Sequence, residues 1–555
     1  MDLSEVFTKK NIEILRLLFE ENLHIRDIAN RLGISPGKVH NSIKIFKKNN
    51  LVTETKEKNR KIISLNKNNP ALNEINNLIN EKNGITEISY SEEKINVFDA
   101  ISPLDFRYYA RNEKIFQKIQ PYLSETAFIR YCAKVEAALA SALAKNRICS
   151  NEIANEIEKA SRQTTAEEVY KEEDKIRHNT RALANAIRGK VSEKAKPYVH
   201  FTATSFDIVN TAEALRYKEF TSSILLPELV DFERTLINIA LREKGTLQVG
   251  RTHGQHAIPM TFGFAIAQYV SRLGNAIIKI KKTANDLRGK FSGAVGSYNT
   301  SSLFIKNPEE FEKDVLGELN LKPSPMSTQI VEAEFLVSYI NAVIEAFGIL
   351  ANMADDMRHL QRSEIAEIGE MFEPKQVGSS TMPQKRNPIN FENVKSMWKE
   401  FMPRIITLYS DQISEHQRDL TNSASMRFVP EILAAFFISV SRLNKTMKNL
   451  AVDKNNLQKN FDLNRDLIIA EPLYILLAAH GHPDAHEAVR RLTLKATLTK
   501  KTLLELLKKD KNLQKYLKKF TKKQLEIIDN PEKYTGIAVE KTEKVCKYWR
   551  EELKI

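Results

Sequence analysis

The segment 331–360 reads VEAEFLVSYINAVIEAFGILANMADDMRHL, and its pattern predicts the fold of most of the chain. Apolar side chains recur at steps of three and four residues, which puts them on one face of an α-helix. They are Phe335, Tyr339, Val343, Phe347, Leu350, Ala354 and Met357. At 1.5 Å per residue the segment would form a rod about 45 Å long. Rods of that length pack into helical bundles, often between subunits.

The same helical spacing recurs in nearly every segment after Ile101. The chain has 555 residues, enough for more than one domain. The sequence therefore predicts a mainly α fold with a long central helical bundle. No stretch of about 18 apolar residues is free of charges, so we expect no membrane-spanning helix and no membrane partner. The first residues also lack the pattern of a signal peptide.

Cysteine content and net charge limit the cellular compartment and the partners that the protein is expected to have. Cys132, Cys149 and Cys546 are widely separated, which favours reduced thiols in a cytoplasm over a disulfide framework. The net charge of +14 is compatible with nucleic acid, an anionic substrate or a lysine-rich proteome. Much of the excess lies in LLKKDKNLQKYLKKFTKKQ near the C-terminus, which we interpret mainly as solvated helix faces.

Residues 1–66 predict a small winged helix-turn-helix domain. In HIRDIANRLGISPGKVHNSIKIFKKNNLV, Gly33 suits the end of a short helix. Ser35 and Pro36 suit the start of a second helix, which would be the recognition helix. The polar and β-branched run TETKEKNRKIISL then predicts two short strands. Residues 67–97 are polar and predict a linker.

A surplus of cations makes duplex DNA a candidate partner of residues 1–66, which hold 13 Lys/Arg and 8 Asp/Glu. Phosphate contacts require such cations. The DNA-binding candidates on the second helix are Lys38, Lys44, Lys47 and Lys48, and those in the wing are Lys56, Lys58, Arg60 and Lys61. Winged helices also serve as protein-contact modules, so the sequence leaves both roles open.

Three polar interruptions between the helices are candidates for chemistry. They read HFTATSFDIVNTA (200–212), GRTHGQHAIPMTFG (250–263) and GSSTMPQKRNP (378–388). The last must be a loop, because Pro383 and Pro388 exclude a helix interior. Histidines, hydroxyls and cations in these segments suit proton transfer on an anionic substrate. His480, His482 and His486 resemble a metal cluster, but we favour a loop and a helix start there and predict no metal site.

Taken together, the three segments resemble the signature regions of the fumarase/aspartase superfamily in their order and separation. The resemblance covers about residues 98–555 and implies three lyase domains, 98–204, 205–458 and 459–555, with 205–458 as the central bundle. It also implies a homotetramer in which each active site gathers one signature region from each of three subunits. It implies neither a metal nor an organic cofactor.

Within the superfamily, the sequence is most similar to adenylosuccinate lyases. LDFRYYARNE resembles an element that holds the nucleotide phosphate, IRHNTRAL a substrate-site segment, and HQRDLTNSASMRF a nucleotide-binding segment. Asn179 stands where the family commonly has aspartate. The resemblance assigns substrate contacts to Arg107, Tyr108, Arg177, His178, Asn179, His200, Thr204, Ser205, Gln329, Asn387, Arg418, Ser423 and Arg427.

The same resemblance assigns the catalytic roles. Ser380 is the base, His253 the acid, Lys385 a stabiliser of the carbanion, and Glu392 an active-site acid. It implies elimination of fumarate from adenylosuccinate, giving AMP, and from the succinylated aminoimidazole carboxamide ribotide, as part of purine biosynthesis. The loop would close over the substrate and exclude water.

Two alternatives to this function stay open. Gln384 replaces a histidine common in adenylosuccinate lyases, and the run MPQK is common in argininosuccinate lyases. A transcription regulator that uses a lyase fold as a ligand sensor is a second alternative. Relatives of the muconate cycloisomerases are disfavoured, because they tend to lack the THG form that His253 keeps.

Overall fold

The computed structural model describes residues 8–57, 60–72, 75, 100–371, 380–382 and 384–555. Most of the predicted linker, the wing residue Lys58, and Ser379 in the third polar segment therefore lie outside the described residues. The chain divides into two compact units, 1–100 and 101–555.

The N-terminal unit is a winged helix-turn-helix, as predicted. Its helices are α1 (Lys9–Glu20), α2 (Ile25–Leu32) and α3 (Pro36–Lys48), and its strands are β1 (Leu23–His24), β2 (Val52–Glu57) and β3 (Arg60–Leu65). The strands form one antiparallel sheet in the order β1-β3-β2.

The turn between α2 and α3 forms for the reason given by the sequence. Gly33 takes a left-handed conformation, with φ of 63°, and its N–H bonds to the last carbonyls of α2. Ser35 and Pro36 begin α3, although the Ser35 side chain makes no capping bond. Val39, Ile43 and Phe46 are buried in a core that also takes in Leu72. The recognition helix is therefore fixed by its apolar side.

The larger unit is mainly helical, as predicted. Its helices are α4 (Glu113–Leu123), α5 (Glu125–Lys145), α6 (Asn151–Gln163), α7 (Ala166–Ile176), α8 (Asn179–Arg188), α9 (Ser205–Phe220), α10 (Leu226–Arg242), α11 (Phe262–Asn285), α12 (Pro308–Glu318), α13 (Ala333–Leu360), α14 (Ile389–Phe401), α15 (Ile405–Ser410), α16 (Val429–Lys448), α17 (Lys454–Asp462), α18 (Arg465–Ile468), α19 (Ala470–Ala479), α20 (Ala485–Thr499), α21 (Leu503–Lys509), α22 (Lys511–Leu517), α23 (Lys522–Asp529) and α24 (Ala538–Leu553). Its short strands pair two by two and are β4 (Leu247–Thr252), β5 (Gln255–Thr261), β6 (Arg288–Gly289), β7 (Lys322–Pro323), β8 (Ile368–Gly369) and β9 (Ala451–Val452).

The long helix α13 lies in the centre of the bundle and packs against α11, α14 and α16. Phe347 on α13 meets Phe436 on α16 with their ring centroids 5.4 Å apart. By length and composition alone, α13 would be long and apolar enough to cross a membrane. Half of its most apolar window is buried inside the chain, as in the core helix of a bundle.

The histidine-rich segment near residue 480 forms the predicted loop and helix start. Asp484 caps α20 by accepting the Glu487 N–H at 3.2 Å. The His480 ring lies 5.1 Å from the Phe520 ring, and the His482 ring lies 4.9 Å from that of Tyr516. These histidines pack on aromatic rings of the C-terminal helices.

Glu233 carries a carboxyl group that burial in the bundle forces toward its neutral form. Glu233 on α10 is fully buried, and neither carboxyl oxygen has a hydrogen-bond partner among the described residues. Burial raises the pKa of Glu233 to about 9. In the unfolded chain this group ionises near its ordinary pKa of about 4.3. Its contribution to stability is therefore fully present below that pH and is lost as the pH rises toward 9.

We expect Glu233→Gln to stabilise the protein at pH 8 by about 1–3 kcal/mol, because glutamine carries no charge to be removed from water. The gain should shrink as the pH is lowered to 5. Thermal unfolding midpoints across this pH range measure it. Glu540→Gln makes the same change at an exposed position of α24 and should have no such pH dependence. An equal gain in stability at pH 5 and pH 8 would contradict the raised pKa of Glu233.

Candidate active site

A cavity of about 1040 Å³ opens beside the beginning of α9. Side chains from α5, α7, α8 and α9 and from the segment before α16 line it. The predicted substrate residues found there are Arg177, His178, Asn179, Ser205, Gln329, Arg418, Ser423 and Arg427. The structure thus brings together residues that lie up to 250 positions apart in the sequence.

The corner between α7 and α8 supplies three of them. Arg177 ends α7 in a left-handed conformation, with φ of 57°. His178 begins α8, and its Nδ1 accepts the Arg181 N–H at 3.2 Å. That bond leaves Nε2 as the atom of His178 able to meet a ligand. Asn179 Oδ1 accepts the Thr180 N–H at 2.7 Å, so its side chain stays close to the backbone.

Arg418 is held in place on another wall of the cavity. Its guanidinium donates to Ser414 Oγ at 2.6 Å and to the Asp411 carbonyl. The Gln329 N–H donates to the Gln417 carbonyl at 3.1 Å, which places Gln329 beside it. Arg427 is exposed at the rim. Four arginines and six acidic residues line the cavity. Its arginines, rather than its overall charge, therefore suit an anionic part of a ligand.

Two cavity residues were missed by the sequence analysis. Glu213 and Arg216 stand one turn apart on α9, and their charged atoms are 3.9 Å from each other. Burial raises the pKa of Glu213 to about 7, against the lowering effect of Arg216. The Arg216 guanidinium also lies 4.9 Å from the centre of the Phe128 ring. The signal was a pair of opposite charges three residues apart within the run AEALRY, residues 212–217, of α9.

The segment before α9 is fixed by a buried ion pair. Asp207 and Lys290 are fully buried and bonded to each other. The other Asp207 oxygen accepts the Thr204 N–H at 2.8 Å, which caps α9. Lys290 also donates to the Gly293 carbonyl at 3.1 Å. Thr204 itself therefore serves the helix start, while the next residue, Ser205, lines the cavity.

His200 lies just upstream and is bonded to a buried carboxylate that the sequence analysis did not find. The ring Nδ1 of His200 is 2.6 Å from Glu136 Oε1, and the backbone N–H of His200 donates to Glu136 Oε2 at 3.1 Å. Burial lowers the pKa of His200, but the charge of Glu136 and the hydrogen bond outweigh it, so the net pKa is raised. His200 has a left-handed backbone, with φ of 63°. The contact with Glu136 thus favours the protonated form of the partly buried His200 ring.

His253 stands at the tip of the hairpin β4–β5. His253 and Gly254 form its two-residue turn, with φ of 54° and 73°. Two positive φ values are the geometry of a type I′ turn, whose twist matches that of the strands. At the base of the hairpin, the buried Glu367 accepts from Arg251 at 2.5 Å and from Gln248 at 2.8 Å. The histidine is therefore exposed on a firmly anchored turn.

The described residues of the third polar segment, 380–382 and 384–388, lie in neither a helix nor a strand, which agrees with the predicted loop. Ser380 and Lys385 are exposed, and Asn387 is half-buried. The Lys385 N–H donates to the Met382 carbonyl at 3.0 Å, which makes a turn before α14. Glu392 is exposed in the first turn of α14.

Arg107 and Tyr108 line a separate cavity of about 570 Å³. They lie on the turn Leu104–Tyr109, whose Asp105 and Tyr109 face the larger cavity instead. The Tyr108 hydroxyl accepts from Asn393 Nδ2 at 3.1 Å. Within one chain, this turn therefore separates the two groups of predicted nucleotide contacts.

One chain thus gathers only part of the predicted site. Among the described residues that line the larger cavity, none comes from the hairpin tip at His253 or from the segment 380–392. The cavity offers arginines to an anion, but the candidate acid and base are exposed elsewhere on the unit.

Comparison with known proteins identifies the class. A family model described as "Lyase" matches residues 100–402, and one described as "Adenylosuccinate lyase C-terminal" matches residues 414–535. A fumarate lyase from a Mesorhizobium species superposes with a TM-score of 0.68 at 23% identity, covering 78% of this chain and 97% of that chain. The chain is a lyase with the fumarase/aspartase fold.

More similar relatives narrow the class. The adenylosuccinate lyase of Archaeoglobus fulgidus is 34% identical over 459 residues, which cover 82% of this chain and 100% of the relative. That of Pyrococcus horikoshii is 36% identical, covering 81% of this chain and 98% of the relative. The chain belongs to the adenylosuccinate lyase family.

Two further comparisons concern the fold and the N-terminal unit. A muconate lactonizing enzyme from Pseudomonas putida superposes with a TM-score of 0.70, covering 79% of this chain and 98% of that chain. Its identity is only 22%, so the likeness concerns the fold alone. Residues 8–54 match a model described as "Bacterial regulatory protein, arsR family", which agrees with the helix-turn-helix of the N-terminal unit.

We expect Glu136→Gln to destabilise the protein by about 1–3 kcal/mol at pH 6, because His200 loses a charged hydrogen-bond partner. Since the folded-state pKa of His200 is raised, the stability that it contributes is present at low pH and lost as the pH rises through that pKa. The loss in the variant should therefore be smaller at pH 8.5. Unfolding midpoints at the two pH values measure it, with the exposed Glu318→Gln as control. Equal losses at both values would contradict the charged pair.

Proposed function

We propose that the enzyme eliminates fumarate from adenylosuccinate to give AMP, and performs the same elimination on the succinylated aminoimidazole carboxamide ribotide. The observation that supports this most is the larger cavity, where eight of the predicted substrate residues meet, three of them arginines. A purine nucleotide offers a phosphate and a succinyl group, both anionic. Both substrates share these groups. The three cysteines are unpaired, in keeping with a cytoplasmic setting for this purine-biosynthetic step.

In this proposal the Arg418 side of the cavity binds the nucleotide, with Ser423 and Arg427 at its rim. Arg107 and Tyr108 of another subunit complete the phosphate site. His178 and Gln329 contact the succinyl part, with Arg177, Asn179 and Ser205 around it.

The reaction breaks one carbon–nitrogen bond and one carbon–hydrogen bond. Ser380, as alkoxide, takes the proton from the carbon beside one carboxylate of the succinyl group. The electron pair left behind forms the double bond of fumarate as the bond to nitrogen breaks. His253, protonated, gives its proton to the departing nitrogen.

Stabilising the intermediate carbanion is the main energetic demand. Its negative charge spreads onto the adjacent carboxylate, where Lys385 and Asn387 donate hydrogen bonds. Glu392 follows on the first turn of α14 as a further acid of the site. A serine is a weak base in water, so the segment 378–388 must exclude water and surround the alkoxide with positive charge.

A homotetramer with shared sites accounts for the separation of these groups in one chain. His253 on its hairpin tip, Ser380 on its loop and the cavity would come from three different subunits. The exposed position of the candidate acid and base supports this arrangement.

We expect Ser380→Ala and His253→Ala each to lower turnover of adenylosuccinate by about 10²–10⁴-fold, because each loses a proton-transfer group. When the two inactive proteins are mixed, unfolded mildly and reassembled, some sites receive an intact serine and an intact histidine from different subunits. Partial activity should then return. The absorbance change on formation of AMP measures it.

Each variant put through the same reassembly alone is the control and should stay inactive. If the mixture forms intact tetramers but stays as inactive as the controls, then Ser380 and His253 of one site do not come from different subunits. Full activity of either single variant would remove that residue from its role. No turnover of adenylosuccinate by the wild type, with turnover of argininosuccinate, would favour the other lyase specificity.

We further propose that the N-terminal unit binds duplex DNA. The observation behind this is the face of α3 opposite its buried side. Lys38, Lys44 and Lys48 are exposed on α3, and Lys44 and Lys48 lie four residues apart on this face. Lys47 bonds to Glu54 of β2, and Lys61 lies 2.7 Å from the same carboxylate. The exposed Lys38, Lys44 and Lys48 are the candidates for phosphate contacts.

We expect full-length Lys38→Gln/Lys44→Gln/Lys48→Gln to bind duplex DNA more weakly than the wild type. The slope of log affinity against log salt should flatten by about 0.9 for each phosphate that the variant no longer neutralises. Fluorescence anisotropy across a salt series measures both. The control is Lys541→Gln/Lys544→Gln/Lys547→Gln, which removes equal charge from exposed positions of α24.

Lyase activity should be unchanged in both triple variants. Lys38, Lys44 and Lys48 lie in the N-terminal unit, and the three control lysines of α24 do not line the larger cavity. Absence of salt-dependent binding by the wild type at low ionic strength would overturn the DNA role. A contact with protein would then be the better account of the winged helix. Loss of DNA binding on adding adenylosuccinate, together with absent turnover, would favour a ligand-sensing regulator.

A further inference from the structure

Positive charge is concentrated in two places along the chain. Residues 1–66 carry a balance of +5. Residues 500–523 contain ten lysines and two acidic residues, a balance of +8 in 24 positions. Since the whole chain has a net charge of +14, the remaining 465 residues are nearly neutral. The proposed site for an anionic substrate therefore explains little of the excess of positive charge.

The ten lysines lie on the C-terminal helices, where the apolar residues face inward. Leu503, Leu507, Leu513 and Phe520 are buried in a separate cluster with residues of α19 and α20. All ten lysines are exposed. We call them the C-terminal lysine surface, which comprises Lys500, Lys501, Lys508, Lys509, Lys511, Lys515, Lys518, Lys519, Lys522 and Lys523.

Little of this charge is neutralised within the chain. In the part that the structure describes, Lys508 is the one lysine of the ten paired with a carboxylate, and its distance to Asp529 is 3.8 Å. Asp510 instead accepts the Asn512 N–H at 2.9 Å and caps α22. Lys519 donates to the His480 carbonyl at 3.5 Å. An ordinary solvated surface intersperses both signs of charge, whereas this one repels itself.

The chemistry of the surface points to a polyanion. None of the ten lysines lines the larger cavity. Insertion into a membrane would need an exposed apolar face. Within 500–523 the large apolar side chains are buried or half-buried. Lys515 and Lys519 flank the Tyr516 ring, with their Nζ atoms 5.0 and 5.7 Å from its centre. Many exposed ammonium groups within 24 residues suit a ligand with many phosphates.

We propose that the C-terminal lysine surface binds the phosphate backbone of duplex DNA, as a second contact in addition to that of the N-terminal unit. This rests on the proposed DNA binding of the winged helix, which is the reason to favour duplex DNA over other polyanions. Lysine contacts to phosphates carry no sequence information but add affinity and salt dependence. Two contacts on one chain also raise apparent affinity through effective concentration.

The test uses the full-length protein with Lys515→Gln/Lys518→Gln/Lys522→Gln. The matched control is Lys541→Gln/Lys544→Gln/Lys547→Gln, which has the same net charge. The probe is a fluorescent duplex of arbitrary sequence in an anisotropy titration over a salt series. We expect the affinity of the first variant to fall about tenfold or more at low salt. The slope of log affinity against log salt should flatten by about 0.9 for each phosphate left without its lysine, while the control stays near the wild type.

The outcomes separate this proposal from that for the N-terminal unit. If the Lys515 triple variant binds like its control while the Lys38 triple variant is impaired, the C-terminal contact is overturned and the winged-helix contact stands. If the wild type binds no duplex, both fail. If the Lys515 triple variant loses binding to vesicles with anionic lipid or to single-stranded RNA, and not to duplex DNA, the choice of DNA is overturned. Unchanged lyase turnover and unfolding midpoint show that the variants are folded.

Discussion

The buried ion pair between Asp207 and Lys290 is the interaction on which the candidate site depends. Both side chains are fully buried, so each charge is stable only because the other is present. Asp207 also caps α9, and Lys290 holds the backbone near Gly293. The pair therefore fixes where α9 begins, and with it the positions of Ser205 and of the buried Glu213 and Arg216. Removing one partner of such a pair costs about 3–5 kcal/mol, because it leaves an uncompensated charge in the core.

The two functional regions of the larger unit are built in different ways. In the cavity, Arg418 donates to Ser414 Oγ and to the Asp411 carbonyl, and His178 accepts the Arg181 N–H, so both side chains are held in place. His253 and the segment around Ser380 are exposed at turns. In the proposed mechanism, nucleotide binding needs preorganised cations, while the acid and base must be brought to the substrate by assembly. Exposure of these groups in one chain is what a site shared between subunits requires.

The winged helix-turn-helix unit has a hydrophobic core of its own, in which Phe46 and Leu72 belong to one cluster of buried side chains. Its charge and that of the C-terminal lysine surface account for nearly all of the chain's positive balance. If both bind DNA as proposed, a metabolic enzyme carries two phosphate-binding surfaces outside its active site. Such surfaces can be altered without touching the cavity, because none of their lysines lines it.

Local structure and family membership could be predicted from the order of the residues. The apolar spacing of α13, the glycine stop at Gly33 and the loop imposed by Pro388 follow from backbone and side-chain properties that act over a few residues. Which distant residues meet became known only from the packing of the folded chain. Glu136 opposite His200 and Lys290 opposite Asp207 are 64 and 83 positions apart, and no periodicity encodes such pairs. Nor could the sequence show that Arg107 and Arg418 line different cavities, because that depends on how the turn Leu104–Tyr109 packs. Burial energetics, rather than local propensity, set these positions.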